Sequence, residues 1–389
     1  MSSSIPAPAL REPAAPASVR FSGLWLFSPR MDVSLLLLPA LLTLFCVWLA
    51  KLTGEGPLGF SRAIGQWTSQ YVLLNGTHVI LTFLLLGTRR ELLHTTPTQP
   101  RLLVGGATVV FVLTASLLWY AGEHAPRLDL MLAATIHILA VHHTLSQVKG
   151  IWALHGLRAR TAGAPPLSEA ERRMQRNFVP VALLLMMARS LAVPLSGAKG
   201  SAPMVNIGQA EGGSLPYATT WVLLAAWVVF VGGLLNAMRG PGGTSGPRRL
   251  YVLGHASVVA VYLVWPTWGA ILSAGIHGLE YFFLTGRMME PTAKESDARL
   301  RGTGVWAAMM LVMLPIILVG VANSPFIPLV DRSTNGAATE FLLRQQPLWS
   351  LGVIVTNAIV LAHYFSDAFM FRFRIPRVRE VTLARLGLG

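Results

Sequence analysis

Apolar residues gather along the chain into ten stretches, near 33–50, 70–87, 103–120, 128–148, 178–195, 217–236, 250–265, 270–286, 304–322 and 350–371. Most approach the roughly 20 residues that a helix needs to cross a bilayer. The pattern predicts an all-α fold: a polytopic integral membrane bundle of about ten transmembrane helices. Pro266, Thr267 and Trp268 form a short hinge between the seventh and eighth stretches. Ahead of the first stretch, residues 1–30 include the run PAPALREPAAPAS. That composition suits a disordered cytoplasmic tail and not a signal peptide. The expected organisation is therefore a tail over 1–30, one transmembrane domain over 31–371, and a basic cytoplasmic tail over 372–389.

Composition agrees with this pattern. The 389 residues are 53% hydrophobic and 12% charged, about half the charge of an ordinary soluble chain. The single cysteine, Cys46, permits no intramolecular disulfide and no cysteine-based metal site. A net charge of +14 invites a nucleic-acid reading, but the cations alternate by loop. With the N-terminus inside, 24 lysines and arginines fall in inner segments and six in outer ones, while Arg189 lies within the fifth stretch. This bias puts both termini in the cytoplasm and the chain in the inner (cytoplasmic) membrane as a multi-pass protein. The charge then faces anionic lipid, and no nucleic-acid partner is expected.

Two connections are more than spacers. Residues 149–177 open with KGIWALHGLRAR, a candidate amphipathic helix lying in the interface. The outer loop 323–349 is long, with a helix expected near 338–345, whereas GPGGTSGP (240–247) is a flexible turn.

Ionisable groups inside spans are costly, so each is a candidate for function. Two acids lie deep in spans, Glu280 and Asp367, and each follows a histidine on one helix face: His277 by three residues, His363 by four. His78, His277 and His363 lie eleven, ten and nine residues from the next cytoplasmic arginine, so they share one level, about 15 Å from the inner boundary. His137 is slightly deeper, and His142, His143 and His255 are shallower. His143 is preferred over His142 because Gln147 follows it by four and is placed to orient it; Asn75 could do the same for His78. His255 reads as structural, and His94, His124 and His155 as solvated. A short echo joins GTHVILTFLLLGTRRE (76–91) to GIHGLEYFFLTGRMME (275–290) and HTLSQ (143–147) to HYFSD (363–367), which would suit a parallel repeat.

Histidine is the commonest protein metal ligand, and histidine with carboxylate suits non-haem iron, manganese or zinc. The metal ligands expected are His78, His137, His143, His277 and His363, with Glu280 and Asp367 as catalytic or supporting carboxylates. No phosphate-binding glycine loop, CxxCH haem attachment, GxSxG elbow or Asp-rich prenyl-diphosphate motif is present.

The cluster resembles the histidine-rich membrane non-haem iron oxygenases: desaturases, alkane hydroxylases and membrane carotenoid-cleaving dioxygenases. HILAVHH (137–143) is similar to a desaturase histidine box with a longer spacing, and HYFSD to the carotenoid dioxygenase motifs. The two further desaturase boxes are absent. The resemblance implies one or two non-haem iron ions, a bilayer lipid or other apolar substrate, and an electron-donor protein. Two other classes use the same residues: a haem b electron carrier, and a proton- or metal-coupled transporter.

Overall fold

The computed structural model describes residues 25–52, 75–164, 166–191, 217–239, 246–289, 346–386 and 388. All regular structure among them is helical. The helices are α1 (Pro29–Leu52), α2 (Asn75–Thr88), α3 (Arg90–Leu93), α4 (Ala107–His124), α5 (Pro126–Thr161), α6 (Glu169–Leu191), α7 (Tyr217–Ala237), α8 (Gly246–Val264), α9 (Pro266–Met289), α10 (Gln346–Met370) and α11 (Pro376–Arg385). A π-helical turn, Arg101–Gly106, leads into α4. Nine of the ten expected stretches carry a helix, while 304–322 and the helix near 338–345 lie outside the described residues.

Two helices among the described residues, Arg101–His124 and Thr220–Ala237, are long and apolar enough to cross a bilayer. His78–Thr88 is a shorter apolar helix. One expectation is corrected outright. KGIWALHGLRAR is not a separate interfacial helix but the continuation of α5, which runs unbroken for 36 residues. Its Ile151, Trp152 and Leu154 are buried in the bundle. Neither Gly nor Pro interrupts that junction except Gly150, which a helix tolerates. Likewise α10 begins at Gln346, inside the segment read as loop.

Contacts fix the helix directions. His78 meets His277, Thr82 meets Tyr281, and Arg89 donates to the Met289 carbonyl, so α2 and α9 run parallel. α5 crosses α8 in the opposite sense, with His137 at Tyr262 and His155 at Tyr251. α8 is in turn antiparallel to α9, with His255 at Glu280. Gly269 allows this last hairpin its tight start: an added Cβ would lie 2.2 Å from the Tyr262 Cα. Gly106 similarly receives the Phe365 ring, which would stand 2.6 Å from an added Cβ, and so seats α10 against α4.

One apolar cluster runs through the interior, from Leu81 and Leu85 of α2 and Leu284 of α9 to Phe178 of α6. It packs Trp152, Phe178, Trp227 and Met238 among α5, α6 and α7, with the Trp227 indole donating to the Ala256 carbonyl at 2.8 Å. Buried polar side chains, among them His78, Thr82, His277, His363 and Asp367, gather among α2, α5, α9 and α10. The outer faces are the reverse: Leu41, Leu113, Leu184, Val222 and Val229 are each at least 57% exposed.

Candidate metal centre

Four helices, α2, α5, α9 and α10, project their histidines to one point. The rings of His78, His277, His363 and His143 form a compact quartet, with neighbouring centroids 4.5–5.1 Å apart and the His78–His143 diagonal at 6.3 Å. Every helix supplying a ring also carries a polar side chain at i+4, the spacing that returns to the same face. His78 is followed by Thr82, His277 by Tyr281, His363 by Asp367 and His143 by Gln147.

The quartet contains two overlapping sets of donor atoms that converge within 4.8 Å: His78, His143 and His277; and His143, His363 and Asp367. In the second set the Asp367 Oδ2 lies 3.6 Å from the His363 Nε2 and 3.8 Å from the His143 Nε2. Both nitrogens lack a hydrogen-bond partner among the described residues. Ligands at about 2.0–2.2 Å from one ion stand roughly 3.0–3.5 Å apart in octahedral or tetrahedral geometry. The two separations from the Asp367 Oδ2 need to close by only a few tenths of an ångström. His363 and His143 both belong to helices that continue well past the site, so their rings are held from both ends.

The hydrogen bonds around Asp367 leave one oxygen for this purpose. Its Oδ1 accepts from the Thr82 hydroxyl and from the Tyr281 hydroxyl, each at 2.8 Å. Thr82 has one proton, so having donated it to Asp367 it accepts from the His363 Nδ1, 2.8 Å away. That fixes His363 as the Nδ1–H tautomer and turns the lone pair of its Nε2 to the centre. Thr82 and Tyr281 are also in direct contact. Between His78 and His277 the two Nε2 atoms are 3.1 Å apart, so one carries the proton that the other accepts.

The sequence echo acquires a spatial meaning here. Its equivalent positions meet each other: His78 with His277, Thr82 with Tyr281, and His143 with His363. The ring set is thus two pairs, each made of like positions in two like helices.

Three expected roles are corrected. His137 is not in the quartet. It lies six residues before His143, about 240° further round the helix, and its Nε2 is 3.3 Å from the Tyr262 hydroxyl. Glu280 does not join the ring set either, because the three residues from His277 turn it to the neighbouring face of α9. Its carboxylate is 2.9 Å from the His255 Nε2 and accepts from Tyr251 at 3.2 Å and Gln147 at 3.4 Å. Gln147 therefore serves Glu280 and the His277 carbonyl, 2.9 Å away, and not the His143 ring. Asn75 lies at the start of α2, and its side chain is outside the described set.

One residue read as solvated is corrected. His255, read as structural, is the buried partner of Glu280. His155 is 3% exposed and packs on the Tyr251 ring, 5.0 Å between centroids. Burial, reinforced by the Arg248 charge, pushes its imidazole down to about 4. A search for histidines and carboxylates passes over Thr82 and Tyr281. Their one signal is position, four residues beyond a buried histidine.

A cavity of about 550 Å³ opens beside the quartet. His143, Gln147, Tyr364 and Asp367 form its polar patch, and the Tyr364 ring stacks on His143 at 4.2 Å. Most of the remaining wall is aliphatic or aromatic, from Leu139 and Leu361 at one end to Leu154 and Leu386 at the other. Leu139 is 41% exposed, so the cavity reaches the outer flank of the bundle. The chain matches no protein-family model, and no curated protein or solved structure is detectably similar to it.

Proposed function

We propose that the protein is a multi-pass membrane metalloenzyme that binds non-haem iron at the histidine quartet and oxidises an apolar substrate held in the adjoining cavity. The observation that carries this reading is the convergence of the His143 Nε2, His363 Nε2 and Asp367 Oδ2 on one point. Two histidines and one carboxylate on one side of an ion, with other positions open, suit an oxygen-activating ferrous site. His78 and His277 complete the ring set from α2 and α9.

Bound iron would supply the redox chemistry toward dioxygen. The protein's own residues do the rest. Thr82 and Tyr281 hold Asp367, and Thr82 holds His363, so neither ligand can turn away. The apolar walls bind a hydrocarbon chain and exclude water, and the Tyr364 ring keeps His143 in plane. A porphyrin plane would have to pass between opposed rings, and the 3.1 Å contact between His78 and His277 argues against such a slot.

The membrane assignment goes with this proposal. It is supported by the buried polar groups, the apolar outer faces and the alternating cations. The helices bearing the quartet would all run from outside to inside, which agrees with the shared sense of α2, α5 and α9. Single cysteines placed in a Cys46→Ser background should label from outside within 323–349, and from inside near Arg158 and at the C-terminus. Labelling of 323–349 only from inside would reverse the orientation.

The deciding experiment on function is elemental analysis with an optical spectrum of the purified protein. Iron without a Soret band is expected. A Soret band would mean haem electron transfer, and no metal of any kind would leave a transporter. A second expectation concerns Thr82. Thr82→Val keeps the shape but frees His363 and Asp367, and should weaken iron binding about 10- to 100-fold, the usual effect of losing an outer-shell partner. Chelator competition measures it, and an unchanged affinity would remove Thr82 from the site.

A further inference from the structure

The cavity beside the quartet extends much further to one side of it than to the other. α5 lines it from Leu139 to Leu154, about 22 Å of helix. His143 stands one turn after Leu139, whereas Leu154 lies about 16 Å further on. Between the two, Gly150 keeps the way clear, since a Cβ added there would meet nothing within 4 Å. The far wall is apolar, with Ile151, Leu154, Phe371, Phe373 and Leu386.

The lining face of α5 continues to Arg158, one turn beyond Leu154 and two turns beyond Ile151. Helical side chains lean toward the N-terminus of their helix, so Arg158 covers the turn that carries Leu154. Arg158 is half-buried, and its Nε is shut off from solvent with no hydrogen-bond partner among the described residues. Two cations next to lining residues are engaged elsewhere. Arg385, beside Leu386, pairs with Glu91, and Arg372, between Phe371 and Phe373, lies over the Phe369 ring at 4.2 Å. Arg248, whose guanidinium reaches Gly156, pairs with Glu171. Among the described residues no acid pairs with Arg158.

We propose that the cavity takes a single long alkyl chain with an anionic head, and that Arg158 binds the head at the Leu154 end.

A guanidinium presents a planar fork of N–H donors that matches a carboxylate or a phosphate. A buried donor left without an acceptor is costly, and an anion at this position removes that cost. The apolar wall beyond it favours hydrocarbon. A volume of about 550 Å³ suits one small ligand, and its length suits a chain. A staggered chain advances about 1.25 Å per bond, so the 16 Å from Leu154 back to His143 corresponds to roughly a dozen bonds. The carbon beside the quartet is therefore far from the head. A chain of roughly 16 to 18 carbons runs past the quartet to the Leu139 end. As the substrate of the oxidation proposed above, such an amphiphile rests on that reading; as a ligand of the cavity it does not.

The test is equilibrium binding of radiolabelled hexadecanoate, hexadecyl phosphate and hexadecanol to the full chain. It is run in a non-ionic detergent at about pH 8, where a carboxyl group is ionised. At least one of the two anions should bind the wild type about tenfold or more tightly than the alcohol, and the tighter of them identifies the head. Arg158→Gln should abolish that preference and leave hexadecanol unchanged. Arg173→Gln, at an exposed site of α6, should leave all three unchanged. Gly150→Leu, which fills the track between head and quartet, should weaken all three by about tenfold. Equal wild-type affinity for the anions and the alcohol would overturn the proposal, whether or not Arg158→Gln folds. So would an anion preference that survives in Arg158→Gln, or binding indifferent to Gly150→Leu. Failure of the iron reading would show separately, as purified wild-type protein without iron.

Discussion

Alanine at His363 or His143 should strip the protein of bound iron while leaving it folded in detergent. Each ring offers a buried Nε2 with no competing hydrogen bond among the described residues, and His143 belongs to both convergent donor sets. Losing either should cost more than the 10–100-fold typical of an outer-shell partner, so affinity falls by about 100-fold or more. Asp367→Asn should approach the same loss with almost no change of volume, because it removes the only carboxylate in either donor set. His94→Ala and His124→Ala, at exposed positions, should retain full occupancy. Metal analysis beside a thermal melt reads all five. Full occupancy in both His363→Ala and Asp367→Asn would end the metal reading.

The second large effect lies at the Arg248–Glu171 pair and concerns stability. Arg248 and Glu171 are an ion pair with side chains 2% and 3% exposed, and the guanidinium also lies over the Trp152 ring at 5.8 Å. Removing one partner leaves a buried charge uncompensated, which costs about 3–5 kcal/mol. Glu171→Ala should therefore lower the thermal midpoint by several degrees. Replacing both residues, Glu171→Leu with Arg248→Met, should recover most of the loss, since apolar pairs of similar volume often substitute without penalty. The pH dependence has a definite sign. Desolvation raises the Glu171 carboxyl above its ordinary 4.5 despite the pull of Arg248 and Arg249. The folded state then holds a proton that the unfolded state has released, so this group's contribution falls as pH rises from about 4.5 through the folded value. Glu171→Gln should flatten that part of the stability profile. A single variant as stable as the wild type would mean that water reaches the pair.

Much of the centre was legible because depth and spacing are one-dimensional quantities. Counting from the inner arginines put His78, His277 and His363 at one level, and four residues put Asp367 under His363. Rotation around a helix is also readable, but it needs a reference direction that the chain alone does not provide. His277 and Glu280 count as one face by spacing, yet the small angle between them sends one to the quartet and the other to α8. The same difficulty hid His255, whose partner is on another helix, and admitted His137, which is on the right helix but the wrong side. His155 was misread for a different reason. The cations after residue 148 read as the end of the helix, but α5 continues past them to Thr161 and remains packed. Thr82 and Tyr281 show the limit of any search by acidity: a hydroxyl that fixes a tautomer does not itself need to titrate.

The wide turn at Arg101–Gly106 sets the phase of everything that follows it. Its i→i+5 closure accommodates one more residue than a regular helix would over the same rise. Leu103 on the near side is buried, while on the far side Gly106 receives Phe365 and Val110 lines the cavity. Deleting one residue here, Gly105 for example, would let the segment close as ordinary α-helix with the phase of α4 kept, because the extra residue is the one the wide turn absorbs. The same deletion at Val109, in regular helix, would turn the rest of α4 by about 100°. Val110 would then leave the cavity wall. A single-residue deletion is therefore absorbed at the wide turn and radical a few residues later, where it exchanges the inward face of the helix while keeping every remaining side chain the same.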